Sequence, residues 1–306
     1  MTRNNASIRS AGKPALLKWT KHDTLGWALM LPTFVLLWIL LWGPTFKALY
    51  LSVFQTRGFD AVKFVGLKNF IDIAKDGLFW VAVKNTFLYV FWGTLLCFFP
   101  PIIAAVCLNE ITRAKAFFRV SVYLPCVIPG VAISLLWNML YDPSSSGMFN
   151  SVLNVMGFEN FGWLQDKKWT IFLICLKSSW SFGGNAIIFL ADLQSVNGEL
   201  YEAAELDGAS VWRKVWNITL PHMRNIILTM TLLGIMGRFQ TFMDPYVMTG
   251  GGPGNASVTV NMLSYKYAFE YFQMDKAVVT GIYVSALILI STILYKKLEK
   301  KLEDDE

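Results

Sequence analysis

Histidine is nearly absent from this chain, and ionisable residues of every kind are sparse. Only His22 and His222 occur in 306 residues, so no histidine-based metal site can be assembled. The four cysteines, Cys97, Cys107, Cys126 and Cys175, all lie inside apolar runs without metal-ligand spacing, and read as buried free thiols rather than disulfides. Charged residues make up 16% of the chain and hydrophobic ones 55%, respectively below and above the averages of soluble domains. There is no Walker motif: the glycines at Gly250, Gly251, Gly252 and Gly254 are neither preceded by a strand pattern nor followed by Lys-Ser/Thr, so the chain cannot hydrolyse ATP by itself. No nucleophile, histidine or metal set falls within reach of one cavity, which argues against a membrane enzyme.

What the chain has instead is apolar runs of bilayer length. Runs of roughly 20 residues, the number a bilayer core requires, fall at 26–42, from just after Asn85 to 108, and at 120–140, 170–193, 226–247 and 277–295. The first is expected to continue toward Phe54 with Pro44 near its outer end. Pro100-Pro101 is expected to kink the second, and Pro125, Pro129 and Gly130 interrupt the third, which neighbouring helices or water make acceptable in a membrane. The fold class is therefore an all-α membrane protein of about six transmembrane helices. Its segments are a tail over 1–25, the first span and a loop over 26–80, a core over 81–296 and a charged tail over 297–306. Between spans, 55–78 and 142–168 are polar, the latter with a short helix near residues 149–156. The formal charge of +6 is dispersed along the span boundaries rather than gathered in one patch, so nucleic acid is not a partner.

Six crossings put both termini on one side. Basic residues in the first two dozen positions (Arg3, Arg9, Lys13, Lys18, Lys21), in the turn with Arg113, Lys115 and Arg119, and in the final KKLEKKL vote for that side being the cytoplasm. The run that follows the basic start is too long for a cleaved signal peptide and has no small-residue cleavage site after it. Lys63, Lys68 and Lys75 on the opposite side moderate the asymmetry.

The longest polar island capable of folding by itself runs from Asn197 to His222. Residues 198–206 are rich in helix formers, with Asn197 as N-cap and Asp207-Gly208 as the stop. A second short helix starts at Ser210 and carries Val211, Trp212, Val215 and Trp216 on one side and Arg213 and Lys214 on another. Pro221 is expected to end it and to seed the next span. Two short helices joined at a glycine corner, too polar for lipid and too apolar on one side for water, fit a groove on a soluble partner; the plain alternative is a surface loop. Glu202-Ala203-Ala204, Asp207-Gly208-Ala209 and then Ile218, Leu220 and Pro221 match the EAA loop of bacterial ATP-binding-cassette importer permeases, and on those residues the chain resembles that family. The resemblance implies the type I importer permease fold, with the loop as a cytoplasmic coupling helix seated on an ATPase subunit. Carried over, Glu202, Ala203, Ala204, Asp207, Gly208 and Pro221 are contact or corner residues of that joint.

Further stretches resemble the sugar-importing branch: FVGLKNF at 64–70, MTGGGP with Gly250, Gly251, Gly252 and Pro253 as an external turn, and SYKYAFEYF at 264–272. They are similar to the MalF-like or UgpA-like member of a heteromeric pair, although the extra spans and large external insertion of the maltose permease are absent. The implied partners are an ABC ATPase dimer carrying ATP and Mg, a second, MalG-like permease, an extracytoplasmic solute-binding protein, a carbohydrate and the lipid bilayer, in a bacterial cytoplasmic membrane. No cofactor is expected in this chain. Lys177, Trp180, Ser181 and Asn185 make the fourth span conspicuously polar, and Arg238, Gln240, Thr241 and Asp244 do the same for the fifth; ionisable groups inside spans are functional candidates by default. Trp180 is placed to stack on a sugar face while Asn185, Ser181 and Gln240 bond hydroxyls. The plain reading is that Arg238 pairs with Asp244 and the serines pack helix against helix. Lys177 and Arg238 raise an acidic saccharide beside a neutral one, since arginine also serves hydroxyls. The rival class is an ion-coupled secondary sugar carrier, which commonly places a carboxylate or a broken-helix ion site at mid-membrane; Glu110, Asp192 and Asp244 all read as near span ends.

Overall fold

The computed structural model describes residues 21–111 and 113–304. The basic positions Arg3, Arg9, Lys13 and Lys18, and the tail over 1–20, lie outside them. The chain divides into two compact units between Tyr50 and Leu51. In the first, α1 (Lys21–Leu37) passes through a π turn (Trp38–Trp42) into α2 (Gly43–Ser52) as one helix. The run is longer than the apolar window 26–42, because Pro44 sits at the start of α2, where its missing N–H falls beside the wider turn.

The second unit opens with strands, which the sequence did not lead one to expect. β1 (Phe54–Arg57) and β2 (Asp60–Phe64) form an antiparallel hairpin turning at Gly58, followed by α3 (Lys68–Lys75). The FVGLKNF stretch holds this piece together: the buried Asn69 side chain donates to the carbonyls of Ser52 and Phe54 at 3.0 and 2.8 Å, and Gly66 adopts φ 59°.

α4 (Gly77–Glu110) is the axis of the unit and is one unbroken helix through Pro100 and Pro101. It begins at Gly77, ahead of the start expected just after Asn85, with the Asp76 carboxylate accepting from the Leu78 N–H at 2.8 Å. The third and fourth spans are both broken. α5 (Lys115–Val127) meets α6 (Gly130–Leu140) at 92° across Ile128 and Pro129, since the residue before a proline is driven out of the α region. After α7 (Met148–Val155) and a short 3-10 turn (Trp163–Gln165), α8 (Thr170–Ser179) meets α9 (Gly183–Leu193) at 47°. The two broken spans nest at Gly183: a Cβ there would sit 2.1 Å from the Val122 carbonyl oxygen, so only glycine admits this approach.

The knuckle follows as α10 (Gly198–Leu206) and α11 (Val211–Lys214). Pro221 does not end the second helix. A π turn (Val215–Thr219) carries it directly into α12 (Leu220–Phe239), the Leu220 N–H reaching back five residues to the Val215 carbonyl. The wider turn absorbs the ring and the missing donor of Pro221, so the break becomes a continuation. α12 stops at Phe239, short of the expected 247, and the remaining residues form the separate α13 (Met243–Thr249). α14 (Val260–Tyr265) with its π turn (Lys266–Glu270) and α15 (Met274–Asp304) complete the chain, the charged KKLEKKL stretch continuing the last helix. Among the described residues four helices are long and apolar enough to cross a membrane, and six if each bent pair is one span.

At the end away from the knuckle, the glycine turn is tied to α4. Asn85 donates to the carbonyls of Asn255 and Val258 at 2.9 and 3.0 Å, and Thr86 accepts from the Val260 N–H at 3.1 Å. Gly250 and Gly251 have φ 59° and 92°, and a Cβ on Gly251 would meet Val258 at 2.6 Å, which confines the turn to glycine. Tyr267 donates to Asp76, and burial together with that carboxylate raises its phenol above the ordinary range, keeping it a donor. The four cysteines are unpaired; Cys175 alone of them is buried, whereas Cys107 is exposed.

Candidate functional site

Two regions hold the residues singled out from the sequence. The first is the knuckle. Asn197 caps α10 by accepting from the Glu199 N–H at 3.1 Å, and Ser210 caps α11 by accepting from Arg213 at 3.4 Å. Between them α10 closes in a Schellman motif: the Gly208 N–H bonds Glu205 and the Ala209 N–H bonds Ala204, with Gly208 at φ 73°. The corner is braced by Lys214 to Glu205 at 2.8 Å and by Tyr201 to Thr219 at 3.0 Å. Glu202, Ala203, Asp207, Gly208 and Pro221 are exposed and Ala204 is half-buried. Leu206 is 90% and Trp212 73% exposed, with Leu200, Val211 and Trp216 also open. Glu110, at the end of α4, lies in electrostatic range of Lys214, so the α4–α5 turn shares this end of the molecule.

The second region is a polar cavity of about 320 Å³ among α4, α8, α9, α12 and the segment leading into α13, lined among others by Ser178, Ser181, Asn185, Arg238, Thr241 and Asp244. A smaller pocket shares Asn185 and Arg238 with it and is floored by Thr94, whose buried hydroxyl has no hydrogen-bond partner. Ser181, Asn185, Arg238 and Thr241 therefore do converge. Three of the expected contributors, Lys177, Trp180 and Gln240, do not join them. Trp180 packs against Trp137 at 6.2 Å and lines a separate aromatic recess with Tyr141, Phe149 and Trp163. Gln240 is exposed and its amide donates to the Met236 carbonyl at 3.3 Å.

The ion pair is also not the one the sequence spacing suggested. Asp244 pairs with Lys177, at 2.6 Å, instead of with Arg238. Lys177 is 4% exposed and donates also to Ser134 at 2.9 Å, while Ser178 donates to the other Asp244 oxygen at 2.8 Å. The break after Phe239 turns Asp244 toward α8 and α6, and its contacts join those two helices to α13. Asp244 thus lies on the cavity wall with its charge already matched. No group of three or more metal-ligating side chains occurs among the described residues.

A bundle of unbroken and broken apolar spans around a polar cavity, with an exposed capped knuckle between two of them, defines a multi-pass membrane permease. Residues 98–304 match the family model for the binding-protein-dependent transport system inner membrane component, and the chain belongs to that family. It is 31% identical to a probable ABC transporter permease, YurN, of Bacillus subtilis, over 92% of this chain and 96% of the relative. It is 31% identical to the lactose transport system permease LacF of Rhizobium radiobacter over 88% and 91%. Its fold matches a chain in the crystal structure of a bacterial alginate ABC transporter bound to a pentasaccharide-loaded periplasmic protein, with TM-score 0.81 and 23% identity over 92% and 96% of the two chains. These relatives are transport permeases rather than enzymes.

Proposed function

We propose that this chain is the conducting and coupling subunit of an ATP-driven importer that moves a carbohydrate, with no bond made or broken in it. The observation that carries the reading is the knuckle, a rigidly capped pair of short helices that leaves Glu202, Ala203 and an apolar face open at the end of spans lining a polar cavity. A surface of that kind fits a cleft on a soluble partner, here an ABC ATPase dimer that binds ATP and Mg. The polar cavity suits a hydroxylated passenger, and relatives that carry lactose or belong to an alginate transporter support a saccharide. A second, MalG-like permease completes the pathway, and an extracytoplasmic binding protein delivers the passenger at the end formed by the hairpin and the glycine turn. Closure of the ATPases rocks the spans about the cavity through α10 and α11. The core of residues 81–296 sits in the bacterial cytoplasmic membrane, with both termini and the knuckle cytoplasmic.

The test is uptake by the assembled complex. Glu202→Lys and Gly208→Pro are expected to leave the protein in the membrane and abolish transport, Gly208→Pro because proline cannot adopt φ 73°. Normal uptake in either variant overturns docking at the knuckle. A cysteine at Ala203 should cross-link to the ATPase; a cross-link to the binding protein instead would reverse the orientation.

A further inference from the structure

Lys177 and Arg238 are the two cations that the apolar core carries near the cavity, and the structure separates their roles. Lys177 is enclosed and matched by Asp244, with Ser134 taking a further proton donor. It offers no charge to a passenger. Arg238 is different in each respect. Arg238 forms no ion pair with any of the described residues. Its side chain lies in a slot between α4 and its own helix that exists because two residues have no side chain. A Cβ on Gly93 would meet the Arg238 Nε at 2.5 Å, and one on Gly234 would meet its terminal nitrogen at 2.7 Å. The slot delivers the guanidinium to the wall common to the larger cavity and the smaller pocket, beside Asn185 and the unpartnered Thr94 hydroxyl.

Of the two charged residues on this wall, Asp244 is neutralised by the enclosed Lys177 behind it, which leaves Arg238 as the unmatched one. An unmatched guanidinium in a membrane-spanning bundle is costly unless water or a counter-charge relieves it, and arginine's planar fork is suited to carboxylate. We propose that the passenger is a saccharide bearing an acid group, and that Arg238 receives its carboxylate while Asn185 and Ser181 serve hydroxyls. A single cation, unassisted by Lys177, binds the acid weakly enough to release it, as a conducting site must. The inference rests on the carbohydrate reading above and specifies the passenger of that same cavity.

The experiment uses the whole complex, with its second permease, ATPases and binding protein, in sealed vesicles. The probes are oligouronates of two to five residues from pectin and alginate and the same oligosaccharides after carboxyl reduction, with uptake read by mass spectrometry. Acidic oligosaccharides should enter the wild type, and Arg238→Gln should lower their uptake by roughly tenfold or more, the loss of one charge-assisted contact. Arg238→Lys, which keeps the charge without the fork, should lose only a few-fold. If Arg238→Gln does not assemble, Arg238→Lys decides alone: a loss as deep as that of an empty vesicle shows a packing role and overturns the proposal. Uptake of the reduced set but not the acidic set, or acidic uptake unchanged by Arg238→Gln, also overturns it while leaving the carbohydrate reading standing. Entry of neither set sinks that reading and this inference together.

Discussion

The knuckle and the cavity both interrupt an apolar chain with polar residues, yet one turns them outward and the other inward. In α10 and α11 the stabilising contacts stay within the knuckle: Asn197 to Glu199, Ser210 to Arg213, Gly208 to Glu205, Lys214 to Glu205, and Tyr201 to Thr219 at the longest reach. The apolar side chains, Trp212 and Trp216 among them, are left open. Around the cavity the contacts join residues far apart in sequence, Lys177 to Asp244 and Ser134 to Asp244. A docking element has to keep its shape without its partner and so stabilises itself. A cavity wall has no such freedom, because each polar group that faces inward must be answered from another helix.

That contrast can be broken most sharply at Lys177. Lys177→Met leaves the half-buried Asp244 without its cation and is expected to cost about 3 kcal/mol, the lower end for a broken enclosed pair, read as a fall in the unfolding midpoint of detergent-purified protein. Adding Asp244→Leu should restore most of it, and a double variant no better than the single would show that the pair is not the reason. A smaller effect is expected at the opposite end. Asn85→Ala leaves the Asn255 and Val258 carbonyls unanswered, at about 1–3 kcal/mol, and should loosen the glycine turn in hydrogen exchange while the knuckle stays protected. The smallest is Asn197→Ala, about 1 kcal/mol for a lost N-cap. Because the knuckle stabilises itself, that change should raise exchange only within α10 and leave the global midpoint within a degree or two, on the order of what so small a local loss allows. A global shift as large as that at Lys177 would erase the distinction.

The knuckle was legible for the reason that makes it self-contained. Caps, the αL glycine and helix formers are properties of neighbouring residues, so Asn197, Gly208 and Ser210 announced the two helices and their corner. Only its exit was misread, since Pro221 alone does not say whether a helix stops or widens into a π turn. At the cavity, Ser181, Asn185, Arg238 and Thr241 were visible as polar residues in apolar runs, but their spacing did not tell which would face one another. Trp180 lies just before Ser181 and faces the aromatic recess instead, because α8 ends there and the chain turns by 47° before α9. The hairpin at β1 and β2 escaped notice because its strands are short and mixed in polarity, and what secures it is a side chain, Asn69, from the following helix.

The sequence by itself determined the crossings, the knuckle and the family, since bilayer length, capping and a gapped motif are each written in contiguous residues. The tertiary structure decided the partners of the buried charges. Where α6 and α8 are broken and α12 ends at Phe239, the direction of each segment depends on what it packs against, and that choice gave Asp244 to Lys177 and left Arg238 facing the cavity.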